Sequence, residues 1–108
     1  MRRAIGFVLR AASGDDVGRH EDEMMREAAR LGFTWTASFF EDAHCESNYV
    51  RMVNRIIRED ADAVLLPGAG HLSSQDIEVL ATHCDVFRLE EGTRHTMTHG
   101  IPMIVDYR

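Results

Sequence analysis

Two short segments of this chain carry residue types that could hold or attack an anion. Arg10 and Ser13 follow an apolar run near the N-terminus, and the segment 68–74 combines glycines, a histidine and two serines. Arginine supplies a fixed cation, serine a nucleophilic hydroxyl, and glycine lets backbone N–H groups approach a phosphate or carboxylate. The sequence predicts a small-anion site from these candidates: Arg10, Ser13, Gly68, Gly70, His71, Ser73 and Ser74. The second segment also fits a plain turn followed by a helix cap.

Alternating strand and helix patterns must position these segments. Short apolar or alternating runs predict strands, whereas apolar residues at three- and four-residue steps predict amphipathic helices. The predicted strands are 4–10, 33–39, 61–67, 84–89 and 101–107, and the predicted helices are 18–31, 47–60 and 73–81. Ser47 and Ser73 are the expected helix N-caps, Ser73 with Asp76 in a capping box. Pro102 fits an edge strand, and residues 90–100 are expected to form a polar loop.

This order predicts an α/β fold. The expected architecture has three layers, with helices on both faces of a mostly parallel five-stranded sheet in the order 2-1-3-4-5, the last strand being parallel or antiparallel. We expect one domain over residues 1–108. In such sheets ligands bind beyond the carboxyl ends of the strands where the strand order reverses, here between the first and third strands.

Three stretches resemble the catalytic domain of the resolvase/invertase family of serine recombinases. Residues 4–8 resemble that family's first strand, residues 61–67 resemble the strand before its second catalytic loop, and Leu72-Ser73 resembles part of that loop. The resemblance implies a resolvase-like fold for the whole chain. Members of that family attack a DNA phosphodiester with a serine that follows strand one and lies two residues beyond an arginine.

The first catalytic loop allows two alignments. Anchoring on residues 6–8 puts Leu9 at the arginine and Ala11 at the serine, so the nucleophile is missing. Anchoring on residues 13–16 instead recovers Ser13, with Arg10 one residue too far away. Ser13 is therefore the one candidate nucleophile that the resemblance leaves.

The second catalytic loop departs further from the family. The family's aspartate and two arginines correspond to Gly70, His71 and Ser74, and residues 46–48 lie where another arginine is expected. Removing one preorganised donor from a developing charge costs a rate factor of about 10² to 10³. The resemblance thus implies a catalytically inactive domain. The family's dimerisation helix and helix-turn-helix segment are not expected within residues 1–108.

The composition limits the kinds of binding partner that we expect for this chain. The formal net charge of −6 opposes binding to nucleic acid, so we expect no DNA binding by this domain alone. The sequence contains no apolar run of 18 residues, so it predicts no membrane span. The presence of only two cysteines indicates a reducing, cytoplasmic setting. Histidine and cysteine show no recognised metal spacing, and we expect neither metal nor cofactor. The residues weighed for a metal are His44, Cys45, His83, Cys84, His95 and His99.

Three functions follow from these observations. The leading hypothesis is an inactive recombinase-like domain that acts as a protein-interaction or regulatory module, as a homodimer or with another protein. The alternative is a protein or enzyme that binds a small anion or nucleotide through the loops after strands one and three. The third hypothesis, an active site-specific recombinase, would need its missing parts from another chain.

Overall fold

A mixed β-sheet separates two helical layers in the computed structural model, which describes residues 1–68 and 70–108. Helix α1 (Arg10–Ser13) is a single turn, continued by a 3-10 turn over Gly14–Asp16. The strands are β1 (Arg3–Leu9), β2 (Thr34–Glu41), β3 (Ala63–Leu66), β4 (Asp85–Arg88), β5 (Thr93–Thr98) and β6 (Ile101–Asp106), and the helices are α1 (Arg10–Ser13), α2 (Val17–Arg30), α3 (Asn48–Glu59) and α4 (Ser74–Ala81).

The α/β class and the order of the first four strands are confirmed, but the five-stranded sheet is wrong. Across the described residues the sheet has six strands in the order β2-β1-β3-β4-β5-β6. Strands β1 to β4 are parallel to one another, whereas β5 is antiparallel to both of its neighbours, β4 and β6. The predicted last strand is β6, and it lies beside β5 rather than beside β4.

Strand β5 lies inside the predicted polar loop 90–100. Its sequence, Thr93–Thr98, is mostly polar and only His95 within it is buried, so hydrophobic periodicity gives no signal. The turn that follows consists of His99 and Gly100, both at positive φ (51° and 77°). Two such residues make the tight turn that suits a β-hairpin. Pairing with β4 and β6 therefore makes this segment a strand.

Helices cover both faces of the central strands, as the sequence predicts. On one face Met24 and Ala28 of α2 pack with Ala4, Val8 and Leu65. On the other face α3 and α4 pack over Ile5, Phe7, Val64 and Val86 through these side chains: Met52, Ile56, Ile77 and Leu80. Strands β1 and β3 are thus buried from both sides, which explains their continuous apolar sequences.

The two predicted N-caps have different outcomes. Ser73 caps α4, because its hydroxyl accepts the N–H of Asp76 at 3.1 Å. Ser47 precedes α3 but makes no side-chain cap, since its backbone is in the helical region and its hydroxyl contacts the Cys45 sulfur. No described helix has the length and apolar character needed to cross a bilayer.

Candidate functional site

The loops after β1 and β3 lie next to each other because these strands are parallel neighbours in the sheet. After β1 the chain turns through α1 into the start of α2, and after β3 it continues through Pro67 and Gly68 towards α4. Ala69, within the predicted 68–74 segment, lies outside the described residues. This is the position where the strand order reverses, and open α/β sheets commonly bind ligands there.

His71 ties the second loop to the end of β1. Its Nδ1 accepts the backbone N–H of Leu9 at 2.9 Å, and the residue is only 3% exposed. Burial lowers the pKa of His71 to about 4, with further lowering from the nearby His20 and His44. The ring is therefore neutral at physiological pH and serves as a hydrogen-bond acceptor.

Ser13 is held by a histidine that the sequence reasoning did not select. The Ser13 hydroxyl and Nδ1 of His20, on α2, are 2.7 Å apart. The His20 ring meets that of His71 edge to face, with 6.1 Å between ring centroids. The seven-residue separation of Ser13 and His20 crosses a turn between two helices, so helical periodicity could not have linked them.

The Ser13–His20 contact has the geometry of a nucleophile and its base, since such pairs lie within hydrogen-bond distance. However, Ser13 is only 6% exposed. The other ring nitrogen of His20, Nε2, is 3.5 Å from the Arg19 guanidinium, which cannot accept a hydrogen bond. In a serine–histidine–aspartate triad that position faces a carboxylate, which holds the ring and stabilises its cation. The described contacts favour a structural hydrogen bond over an activated serine.

Arg10 turns towards β2 rather than towards Ser13. Its guanidinium pairs with Asp42 at 2.9 Å and lies over the Phe40 ring, 5.3 Å from the centroid. The N–H of the next residue, Ala11, also bonds to the Asp42 carbonyl. Arg10 therefore anchors the loop after β1 to the loop after β2.

The remaining candidates also have separate contacts. The Gly70 carbonyl is 3.0 Å from Nε2 of His44, and Ser73 caps α4. Gly68 lies against the Glu90 side chain, since a Cβ there would be 2.5 Å from a Glu90 carboxylate oxygen. Ser74 lines a different groove, between α4 and the β5–β6 hairpin. Of the seven predicted residues, the described contacts bring Ser13 and His71 together through His20.

A larger cleft opens beside this cluster, between α2 and the ends of β3 and β4. Its volume is about 640 Å³. The lining mixes cations with carboxylates, and Arg19 pairs with both Asp16 and Glu23. The residues lining the cleft are Asp16, Arg19, His20, Glu23, Arg26, Glu27, Pro67, Leu89, Glu90 and Arg108. His20 both lines this cleft and contacts Ser13.

The residues weighed for metal binding are scattered. Within residues 1–68 and 70–108, no group of three or more histidine, cysteine or acidic side chains could hold a metal ion. Hydrogen bonds from Ser47, and then the charge of Arg51, lower the pKa of the exposed Cys45 thiol. Burial raises the pKa of the Cys84 thiol to about 12. The pKa values of the two thiols are thus shifted in opposite directions.

Comparisons with protein-family models, curated proteins and solved structures found no match to this chain. The class that the structure defines is an α/β protein with a single mixed sheet.

Proposed function

We propose that this chain is a noncatalytic, resolvase-like domain that functions as a protein-interaction module. The proposal joins the resemblance described above to two features of the structure. One feature is a sheet edge that the helices leave uncovered, and the other is the burial of the candidate nucleophile.

The observation that carries the proposal is the exposure of β6. Five of its six residues are exposed, among them Ile101 at 63% and Ile104 at 65%. An exposed, contiguous apolar strand at a sheet edge is a template for association with another chain. Exposed apolar patches on folded domains mark interaction sites, so a partner that covers β6 accounts for its sequence.

The noncatalytic part of the proposal rests on Ser13 and Arg10. Attack on a phosphodiester needs an accessible nucleophile and cations around the developing charge. Ser13 is almost fully buried against His20, and Arg10 is paired with Asp42. These contacts support a role in which both residues stabilise the loop after β1.

The test of this proposal uses DNA directly. The purified chain and its Ser13→Ala variant are incubated with supercoiled plasmid, and nicked DNA and covalent protein–DNA adducts are measured under denaturing conditions. We expect neither product above background from either protein. A Ser13-dependent adduct would overturn the noncatalytic assignment, whatever the chain's state of association.

The cleft beside α2 favours a second candidate function, the binding of a small anionic molecule. Its volume of about 640 Å³ falls within the range of about 300–1,000 Å³ that is typical of ligand pockets. Arg26 and Arg108 line it and could receive a phosphate or carboxylate, while Arg19 is held by Asp16 and Glu23. Its position beyond the ends of β3 and β4 also suits a ligand in this type of sheet.

Thermal unfolding in the presence of phosphate, nucleotides and sugar phosphates tests this candidate. A ligand at a hundredfold its dissociation constant stabilises the folded state by about 2.7 kcal/mol. We expect Arg26→Ala to abolish such a shift, whereas Arg58→Ala, on the exposed surface of α3, should leave it intact. Unchanged melting across the whole panel would exclude this candidate.

A further inference from the structure

Strand β6 is an edge with little protection against association. Among the described residues, its hydrogen-bonded neighbour in the sheet is β5 alone. Natural edge strands are commonly protected by charged side chains, proline or a covering segment. β6 has a single charged residue, Asp106, and a single proline, Pro102, near opposite ends. Between them the exposed side chains are apolar, including Met103 and Ile104.

The hydrogen-bond register determines which backbone groups of β6 point away from the sheet. The N–H of Tyr107, the residue after β6, donates to the Gly92 carbonyl at 3.1 Å. The same antiparallel register continues along the strands to the pair Thr98 and Ile101. Backbone N–H and C=O groups alternate in direction along a strand. Those of the odd-numbered residues of β6 therefore point towards β5, and those of the even-numbered residues point away from the sheet.

The residues of β6 whose backbone groups point away from the sheet are Pro102, Ile104 and Asp106. Ile104 and Asp106 each offer an N–H donor and a carbonyl acceptor, whereas Pro102 offers a carbonyl alone. With this pattern, two copies of β6 can pair with each other. When two β6 strands run antiparallel with Ile104 opposite itself, Asp106 of each strand faces Pro102 of the other. Every outward donor then finds an outward acceptor.

We infer that the partner for β6 is the same strand of a second copy of this chain, paired antiparallel about a two-fold axis at Ile104. The inference rests on the proposed interaction function and names its partner. Each Ile104 N–H donates to the carbonyl of Ile104 of the partner subunit. Each Asp106 N–H donates to the carbonyl of Pro102 of the partner subunit. Closed two-fold dimers are the commonest oligomers of soluble proteins.

The side chains also suit this register. On one sheet face Ile104 meets its symmetry mate, and on the other face Met103 lies opposite Val105 of the partner subunit. Directly opposed apolar side chains stabilise paired strands. A shift of the axis by one residue, to Val105, would put Ile104 against a charged Asp106. In the favoured register Asp106 faces Pro102 instead.

The interface is small, which sets the expected affinity. Stable interfaces generally bury more than about 1,000 Å², and one pair of short strands falls near or below that size. The net charge of −6 on each copy also opposes association. We therefore expect a reversible dimer with a dissociation constant of about 1–100 µM.

Sedimentation equilibrium of the full chain tests the dimer. Ile104→Asp puts two carboxylates face to face at the axis and should weaken association at least tenfold. Ile57→Asp on α3 is the matched control, because Ile57 and Ile104 are 66% and 65% exposed. It should leave association unchanged, and circular dichroism should show both variants folded. A wild-type monomer at about 1 mM, well above the expected range, overturns the inference. So does a loss of association in the control alone.

A cysteine crosslink tests the register. Paired residues of this kind have Cα atoms about 5.5 Å apart, within the range of about 4.4–6.8 Å that a disulfide spans. In a Cys45→Ser background, Ile104→Cys should give a disulfide-linked dimer under mild oxidation, and Ile57→Cys should not. Absence of the Ile104→Cys crosslink, or equal crosslinking at both sites, overturns the register. A monomer that also fails to cleave DNA would refute this inference while leaving the noncatalytic assignment intact.

Discussion

The backbone N–H of Leu9 donates to Nδ1 of His71, 2.9 Å away and 62 residues further along the chain. This hydrogen bond joins the carboxyl end of β1 to the loop after β3. Because the acceptor is a ring nitrogen, the bond exists only while His71 is neutral. The structure therefore couples the candidate site to pH.

Acidification should destabilise the protein through His71. Its folded-state pKa is about 4 against an ordinary value of 6.5, so the unfolded chain binds more protons between these values. Stability is complete above about pH 6.5 and falls as the pH approaches about 4, by at most on the order of 3 kcal/mol. Urea unfolding at several pH values measures this effect. His71→Asn, which keeps an acceptor without titrating, should flatten the profile; an equally steep profile would refute the assignment.

Gly6→Ala should destabilise the fold strongly. A Cβ at Gly6 would lie 2.4 Å and 2.7 Å from two Trp35 ring carbons and 3.0 Å from the Met24 methyl group. Overpacking of a core typically costs about 1–3 kcal/mol. The matched control is Gly18→Ala in α2, where a Cβ meets open space and alanine should add about 0.5–1 kcal/mol. Chemical unfolding of both variants should show shifts of opposite sign.

Arg55 should contribute more to stability than an exposed arginine. Its guanidinium donates to Glu41 at 2.7 Å and lies 4.6 Å from the Phe39 ring centroid, with both charged side chains only 15% exposed. Arg55→Leu leaves the Glu41 carboxylate with Arg51 at 3.4 Å and should cost about 1–3 kcal/mol. Arg19→Ala removes exposed ion pairs that solvent screens, and should cost less than Arg55→Leu. Equal losses in urea unfolding would contradict this ranking.

The two cysteines should differ in their reaction with a thiol reagent. Cys45 is exposed and has a lowered pKa, whereas Cys84 is partly buried and has a pKa raised to about 12. One thiol per chain should react rapidly, and the second only after unfolding, because the thiolate is the reactive form. Ser47→Ala should slow the rapid phase near neutral pH by removing the leading cause of the lowered pKa. An unchanged rate would show that Ser47 does not activate Cys45.

The sequence alone determined the elements that carry their own local signal. The apolar runs predicted β1 and β3, and the helical spacing of Met24 and Ala28 predicted the buried face of α2. The Ser73 cap was also predictable, because its donor is only three residues away. The resemblance to resolvases remains a prediction, as do the functions that follow from it.

Tertiary structure alone decided the rest, because it depended on residues far apart in the chain. The polar strand β5 forms by pairing with its two neighbours, so its own sequence gave no sign of it. Arg10 faces Asp42, and His20 connects Ser13 with His71, through contacts between different elements. The spacing of residues in the sequence can show which of them share a helix or a strand. The order of the strands in the sheet decides which strand ends, and therefore which loops, lie next to each other.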